Sequence, residues 1–246
     1  MRLRGKIALI TGAGGDLGRG MALRFAEEGA KVMVNDKNLG KAQETVDLVT
    51  KQGGVAAPNG ADLTKAGEVK EMVGQVIKEW EQLDILVNNA GDIRDALLTK
   101  MSDEDWDFVV DLNLKASFLC ARAVAPHMIE RGYGKIVNIS SMAYKGNIGQ
   151  TNYVAAKAGV VGLTQALGLE LARYGINVNC VAPGLIDTPK ARTLDEKVLD
   201  ILVKKTPMKR MGEIIDIANP VLFLVSDESK YITRQTIHVS GGMEGF

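Results

Sequence analysis

The chain has 246 residues, with 30 Lys plus Arg set against 30 Asp plus Glu, and just under half of its residues are apolar. That length and apolar share suit one large α/β domain with a substantial core. A net charge of zero argues against a nucleic-acid binder, which carries a basic excess.

In chain order, the opening MRLRGK is short and basic, and no apolar segment of signal-peptide type follows it. The first predicted strand is Lys6–Thr11. It runs directly into Thr11-Gly12-Ala13-Gly14-Gly15-Asp16-Leu17-Gly18, at the head of a helix predicted over Leu17–Gly29. In open parallel sheets, ligands bind beyond the carboxyl ends of the strands. A helix start there offers free N–H groups and the positive end of the dipole to a diphosphate. Gly12, Asp16, Leu17 and Gly18 are therefore candidate cofactor residues. Gly12 allows the tight turn, and Gly18 lets helix and strand pack closely. Asp16 stands where such turns place a glycine. A left-handed or bridge-like backbone suits aspartate better than most side chains, and its carboxylate is expected to cap the helix.

A second strand, Lys31–Asn35, ends at Asp36, about twenty residues past the glycines. An acidic residue there accepts hydrogen bonds from ribose hydroxyls and repels a 2′-phosphate. No Lys or Arg occupies the glycine turn, and Lys37 is the one cation nearby, so NAD is expected ahead of NADP. Next come a helix over Gly40–Gln52, a strand over Val55–Pro58, a helix over Lys65–Trp80 and a strand over Asp84–Asn88. One long helix over Ser102–Arg131, a strand over Lys135–Ser140, a helix over Gln150–Tyr174 and a strand over Asn177–Ala182 follow. Leu185–Arg210 breaks the rhythm: it is charged, carries Pro189 and Pro207, shows no strand pattern and reads as a mobile flap over about 185–210. A helix over Glu213–Ser226, which Pro220 should kink, and a strand over Gln235–Val239 complete the chain.

Strand–helix alternation of this kind reads as βαβ units on a parallel sheet. The strands are continuous apolar runs, as a sheet covered on both faces requires. The expected fold is one domain over residues 1–246. No stretch reads as long enough to span a bilayer. Cys120 and Cys180 lie far apart in apolar surroundings and read as core thiols of a reducing compartment, so a cytoplasmic location is expected. With only His127 and His238, neither a metal site nor a histidine triad is expected.

Tyr153 and Lys157 are four apart in a helical pattern and share one face. A phenol is a poor base at neutral pH, but a nearby ammonium lowers its pKa. Tyrosinate then takes a proton from an alcohol as hydride leaves, and tyrosine returns it in the reverse direction.

Thr11–Gly18, Asn88-Asn89-Ala90-Gly91, the Asn113 of Asp111-Leu112-Asn113, Asn138-Ile139-Ser140-Ser141, Tyr153-x-x-x-Lys157 and Pro183-Gly184-x-x-x-Thr188 occur in order. Together they resemble the short-chain dehydrogenase/reductase family over essentially the whole chain. The resemblance implies a single Rossmann-type α/β domain, doubly wound, with a seven-stranded parallel sheet and helices on both faces, a nicotinamide cofactor and an Asn–Ser–Tyr–Lys tetrad. It makes Tyr153 the acid/base and Lys157 the residue that binds the nicotinamide ribose and tunes Tyr153. Asn113 would hold a water in a proton relay, and a serine near 140 would orient the substrate oxygen. Asp62 and Leu63 would contact the adenine, and Asn89, Ala90 and Gly91 would line the groove floor. Pro183, Gly184, Ile186 and Thr188 would meet the nicotinamide. Counting back from Tyr153 selects Ser140, while counting forward along the strand selects Ser141. Ser141 is favoured, because the strand fixes where its end points and loops absorb deletions.

Gly91-x-Ile93-Arg94-Asp95-x-Leu97-Leu98, Asn177-Val178-Asn179 and Ser240-Gly241-Gly242-Met243 are similar to 3-oxoacyl-carrier-protein reductases. Those usually use NADPH, carry a basic residue in the glycine turn and have basic residues beside the cleft. Here Arg131 and Arg173 fit that last pattern only with a one-residue offset. Arg234 also replaces a common glycine. The first reading is thus an NAD(H)-dependent oxidoreductase acting on a small-molecule secondary alcohol or ketone. The second is a 3-oxoacyl carrier-protein or coenzyme A thioester reductase using NADPH or NADH. The third is a non-catalytic dinucleotide-sensing protein. The flap cations Lys190, Arg192, Lys204, Lys205, Lys209 and Arg210 read first as solvated surface, and otherwise as attraction for an acidic thioester. The resemblance also implies a homotetramer.

Overall fold

The computed structural model describes residues 1–245. Seven parallel strands form one sheet: β1 (Ile7–Thr11), β2 (Lys31–Asn35), β3 (Val55–Asn59), β4 (Ile85–Asn88), β5 (Gly134–Ile139), β6 (Ile176–Pro183) and β7 (Thr236–Val239). Their spatial order is β3-β2-β1-β4-β5-β6-β7. The chain therefore winds outward in one direction from β1 and in the other from β4, and the crevice between those two strands is the switch point at which ligands bind.

Side chains alternate across each strand and fill two cores. Ala8, Ile10, Val32, Val34, Ile85, Val87, Val137 and Val181 pack under α1 (Asp16–Glu27), α2 (Leu39–Lys51) and α8 (Ile214–Val225). Ile7, Leu9, Met33, Leu86, Ile136 and Val178 pack on the opposite face, under α3 (Ala66–Trp80), α5 (Ala116–Arg131) and the end of α6 (Thr151–Leu171). The predicted doubly wound fold is the one observed, with strand ends within a residue or two of expectation.

Three expectations are corrected. The helix expected over Ser102–Arg131 is not continuous. It consists of α4 (Asp103–Val110), a π turn over Asp111–Lys115 and then α5. The segment read as an irregular flap contains α7 (Glu196–Lys205), which Asp195 caps by accepting from the Lys197 amide at 2.9 Å. None of α7 is buried, although Val198, Leu199, Ile201 and Leu202 recur at helical spacing; they lie in a charged stretch between Pro189 and Pro207 that hides the signal. The helix expected around Pro220 is present as α8, with Pro220 inside it and its start fixed by a reciprocal capping box of Glu213 and Asp216. Finally, Thr151–Tyr174 is long and apolar enough by length and composition to cross a membrane. In the fold it lies against β5 and β6, with Asn152, Lys157 and Thr164 buried.

Candidate active site

The carboxyl ends of β1 and β4 are tied together. The Thr11 hydroxyl donates to the Val87 carbonyl (3.3 Å) and accepts from the Asn89 and Ala90 amides (2.9 and 3.0 Å). The Asn89 amide group donates to the carbonyls of Thr11 and Gly12 (2.9 and 3.2 Å). These bonds hold the glycine turn against the groove floor formed by Asn89, Ala90 and Gly91. Gly12 has φ +62, and a Cβ there would lie 2.8 Å from the Ala90 Cα. A Cβ on Gly18 would lie 2.6 Å from the Ala13 Cα, so helix and strand approach as closely as backbones allow. No side chain caps α1, whose N-cap is Gly15. Its first-turn N–H groups, from Asp16 and Leu17 onward, thus remain available to an anion.

Asp16 is not the cap expected from the sequence. It is the first helical residue, with the N-cap role taken by Gly15. The left-handed backbone of the turn belongs to Gly12, and Asp16 is not among the positive-φ residues. An acidic side chain in a first helical turn is favourable to the dipole without bonding to it.

At the end of β2, the Asp36 carboxylate accepts from the Asn38 amide (2.9 Å) and lies where a Cβ on Gly14 would come within 2.7 Å of Oδ2. It therefore faces the glycine turn. Lys37, the cation expected to be nearest, pairs instead with Asp62 at 2.8 Å. Burial pushes the Asp62 carboxyl up, but Lys37 and Thr64 outweigh this and bring it down to about 2. Leu63 is buried beside it. Sequence reasoning missed Arg19, which reaches the turn from α1. It donates to the Gly14 carbonyl (3.1 Å), the Thr45 hydroxyl (3.0 Å) and Glu44 (3.0 Å), so its guanidinium is already bound.

The π turn aims Asn113 into the crevice. Its Nδ2 donates to two carbonyls, Asp92 (2.8 Å) and Val109 (2.9 Å), which fixes the orientation of the amide. Its Oδ1 is buried without a partner and blocks any side chain at Gly91. A buried acceptor without a donor is costly; here the oxygen is packed against Gly91. Its backbone carbonyl, the atom a relay water would use, accepts from the Ser117 hydroxyl at 3.1 Å.

Across the crevice, Asn88, Asn138 and Thr164 form a buried chain joining β4, β5 and α6, with bonds of 2.8 and 2.9 Å. Asn152 accepts from the Tyr153 amide (2.7 Å) and donates to the carbonyls of Arg94 and Asp105 (3.0 and 3.2 Å). Sequence reading did not single out Asn152 or Thr164, because their contribution is to position α6. The Lys157 ammonium is buried and donates to the Ile139 carbonyl (2.9 Å). It lies 5.5 Å from the centre of the Tyr153 ring. Burial pushes Lys157 down to about 8. Burial pushes the Tyr153 phenol up to about 12; the Ser141 hydroxyl bonded to it pulls the other way, while Asp95 and Asp92 raise it. Without a cofactor, burial therefore keeps the phenol protonated at neutral pH beside an ammonium that still carries most of its charge. Ser140 and Ser141 separate clearly. The Ser140 hydroxyl donates to the Lys157 carbonyl (2.8 Å), whereas Ser141 faces Tyr153.

At the far end of the groove, the Gly184 amide bonds to the Val239 carbonyl (2.9 Å), and a Cβ there would lie 2.8 Å from the Ser240 Cα. Ile186 bridges to Gly212, and the Thr188 hydroxyl accepts from the Ala191 amide (3.1 Å). Pro183 to Thr188 thus form a fixed rim, and the Thr188 hydroxyl keeps a proton to donate. The flap cations are largely paired: Lys190 with Asp92, Arg192 with Asp187, Lys204 with Asp200 and Arg210 with Asp216. That favours the solvated-surface reading. Arg131 reaches Asp84 (3.7 Å), just before β4, so it lies at the amino end of the sheet, away from the groove. Arg173, between α6 and β6, is at the same end. Neither stands beside this cleft.

The chain matches the family model described as enoyl-(acyl carrier protein) reductase over residues 12–244. It is 47% identical over 246 residues to the (2S)-[(R)-hydroxy(phenyl)methyl]succinyl-CoA dehydrogenase subunit BbsD of Thauera aromatica, covering 100% of this chain and 99% of that protein. It is 44% identical over 248 residues to the 3-oxoacyl-[acyl-carrier-protein] reductase FabG of Thermotoga maritima, covering 99% of each. Among solved structures it is similar to levodione reductase, with a TM-score of 0.96 at 33% identity and 99% of both chains covered. With the fold, the crevice and these full-length likenesses in agreement, the chain belongs to the short-chain dehydrogenase/reductase family of oxidoreductases.

Proposed function

We propose that the protein is an NAD(H)-dependent oxidoreductase that moves hydride between the nicotinamide and a secondary alcohol or ketone, with Tyr153 as acid/base. The convergence of Ser141, Tyr153, Lys157 and Asn113 on one crevice carries this reading. The glycine cradle and the uncapped start of α1 fit a dinucleotide. Gly12, Leu17 and Gly18 would meet its diphosphate, and Asp36, Asp62 and Leu63 its adenosine half. Lys157, with Pro183, Gly184, Ile186 and Thr188, would hold the other end. When bound, the cofactor supplies or accepts the hydride.

The residues of the chain divide the remaining work. Ser141 donates a hydrogen bond to the substrate oxygen and keeps it within reach of Tyr153. In reduction, the protonated phenol donates to the oxygen as negative charge develops there, with Lys157 supplying positive charge behind it. In oxidation, the phenol must first lose its proton. The positive charge of the oxidised cofactor, added to that of Lys157, would bring its pKa down from about 12. Asp36 supports NAD over NADP, because its carboxylate faces the glycine turn and both Lys37 and Arg19 are engaged elsewhere.

A second reading sets the substrate: a 3-oxoacyl or 3-hydroxyacyl thioester, with NADPH or NADH. Two relatives at 44–47% identity bear names that specify coenzyme A or carrier-protein thioesters. The placement of Arg131 and Arg173 away from the cleft favours the coenzyme A form over the carrier-protein form. We also place the protein in the cytoplasm as a homotetramer, with Phe118, Leu169 and the small residues Ala155, Ala158 and Gly162 as its outward contact face.

NADH absorbance, followed against secondary alcohols and 3-oxoacyl thioesters of coenzyme A and of carrier protein, with NAD and NADP side by side, tests these readings. Tyr153→Phe should abolish turnover and leave cofactor binding intact. Hydride exchange at near wild-type speed in that variant would overturn the proposed chemistry.

A further inference from the structure

Asp92 holds two walls of the crevice at once. Its backbone carbonyl accepts from Asn113 Nδ2 (2.8 Å), and its carboxylate Oδ1 accepts from Lys190 (2.6 Å) and from the Ile93 amide (2.9 Å). Lys190 opens the segment that carries α7. Among the described residues, every other side-chain bond of residues 190–209 stays within that segment or joins its own base: Arg192 to Asp187, Thr193 to Lys190, Lys204 to Asp200, Thr206 to Leu202 and Lys209 to Lys204. Lys190 alone crosses the mouth. Both partners are about half exposed, at 61% and 45%, and exposed pairs contribute little to global stability. Their geometry therefore bears on where the segment sits. Burial raises the Asp92 carboxyl, but Lys190 and the Ile93 amide outweigh it, so the carboxylate is charged at neutral pH. The other charges near the mouth are committed or face elsewhere: Gln150 holds Asp95, and Arg94 lies over the Phe108 ring.

We propose that Asp92 is a positioning residue: through Lys190 it latches the α7 segment over the crevice, and through its carbonyl it ties that closed position to Asn113. This rests on the reading of the Tyr153 crevice as the reaction site. Opening the latch frees the mouth for entry and exit, so the ion pair governs release of the reduced cofactor and product, while Tyr153 governs the chemistry.

Thermolysin, which cuts at the Leu and Ile residues of 194–202, reads the latch without turnover or bound cofactor. Asp92→Asn and Lys190→Met should each speed cleavage there by roughly threefold, and about 1 M NaCl should bring the wild type up to the same rate. The exchanged pair, Asp92→Lys with Lys190→Asp, should return cleavage to near the wild-type rate. Stopped-flow NADH release should follow the same order. Lys190 is exposed, so Lys190→Met keeps the test open if an Asp92 variant fails to fold. Unchanged cleavage in Lys190→Met, or exchanged charges that fail to restore protection, overturns the latch. A protein with this cleavage pattern but no oxidoreductase activity would instead sink the functional reading and leave the latch standing.

Discussion

The Ser140 hydroxyl donates to the backbone carbonyl of Lys157 at 2.8 Å, which pins the end of β5 to the middle of α6. The two adjacent serines therefore have different duties. Ser140→Ala should cost about 1 kcal/mol of stability and retain turnover. Ser141→Ala also loses a bond to the Ala143 amide (3.2 Å), so its stability falls by a similar amount, but it should lower kcat by about a hundredfold. Melting curves and initial rates on the two variants check this, and the reverse pattern would reassign the reacting hydroxyl.

Reduction requires a phenol that keeps its proton and an ammonium that keeps its charge. Tyr153 keeps its proton up to about 12, and Lys157 only up to about 8. The reductive rate should be level through neutrality and fall above pH about 8 as Lys157 discharges. A rate that stays level to about pH 10 would show that the ammonium does not contribute.

The same lysine weakens the fold. Its folded value of about 8 lies below the ordinary 10.5. The unfolded chain thus binds more protons between those values, and stability rises with pH across that window. Below it, the full cost of burying the charge is present. At pH 7, Lys157→Met should abolish turnover and raise stability by about 2 kcal/mol, roughly 4–8 °C in Tm. A Tm that falls would mean that the bond to the Ile139 carbonyl outweighs the burial of charge.

Asp36 should set the choice of dinucleotide. Asp36→Ala removes a charged acceptor and a repulsive charge together, so the preference for NAD over NADP should shrink by about tenfold. The ratio of kcat/KM for the two cofactors measures this. An unchanged ratio would move the discrimination to Arg19.

Arg234 has φ +63, in the left-handed region that favours glycine. Its amide bonds to the Val178 carbonyl (2.7 Å), which holds the conformation in place. Arg234→Gly should stabilise the protein by about 1 kcal/mol. Thermal unfolding tests it, and a loss would show that the side-chain packing over Gly168 outweighs the strain.

The architecture was legible because burial on both faces writes strands as unbroken apolar runs: β2, from Lys31 to Asn35, was read to the residue. The chemistry-bearing residues were legible through their spacing. Four features were not. The Asp111–Lys115 π turn inserts itself into an otherwise helical pattern, and nothing in residue type marks a wider turn. The helix α7 carries apolar residues at helical spacing, Val198, Leu199, Ile201 and Leu202, but they lie in a charged stretch between two prolines and face no core, so the segment falls outside the strand–helix rhythm. The low-lying Lys157 and high-lying Tyr153 pKa values come from burial, which is a property of the packed molecule; spacing along a helix gives only their proximity. Asp92 and Lys190 are 98 residues apart, and only the folded chain brings them together.

The wide turn at Asp111–Lys115 carries a consequence for how this chain can vary. One additional residue in that loop of helix sets the Asn113 amide on the Asp92 carbonyl, with its oxygen packed against Gly91. An ordinary turn advances the side chains by about 100° per residue, so deleting a single residue there would restore regular winding and carry the amide out of the crevice. The helix would then be more regular, and the crevice would have lost a wall.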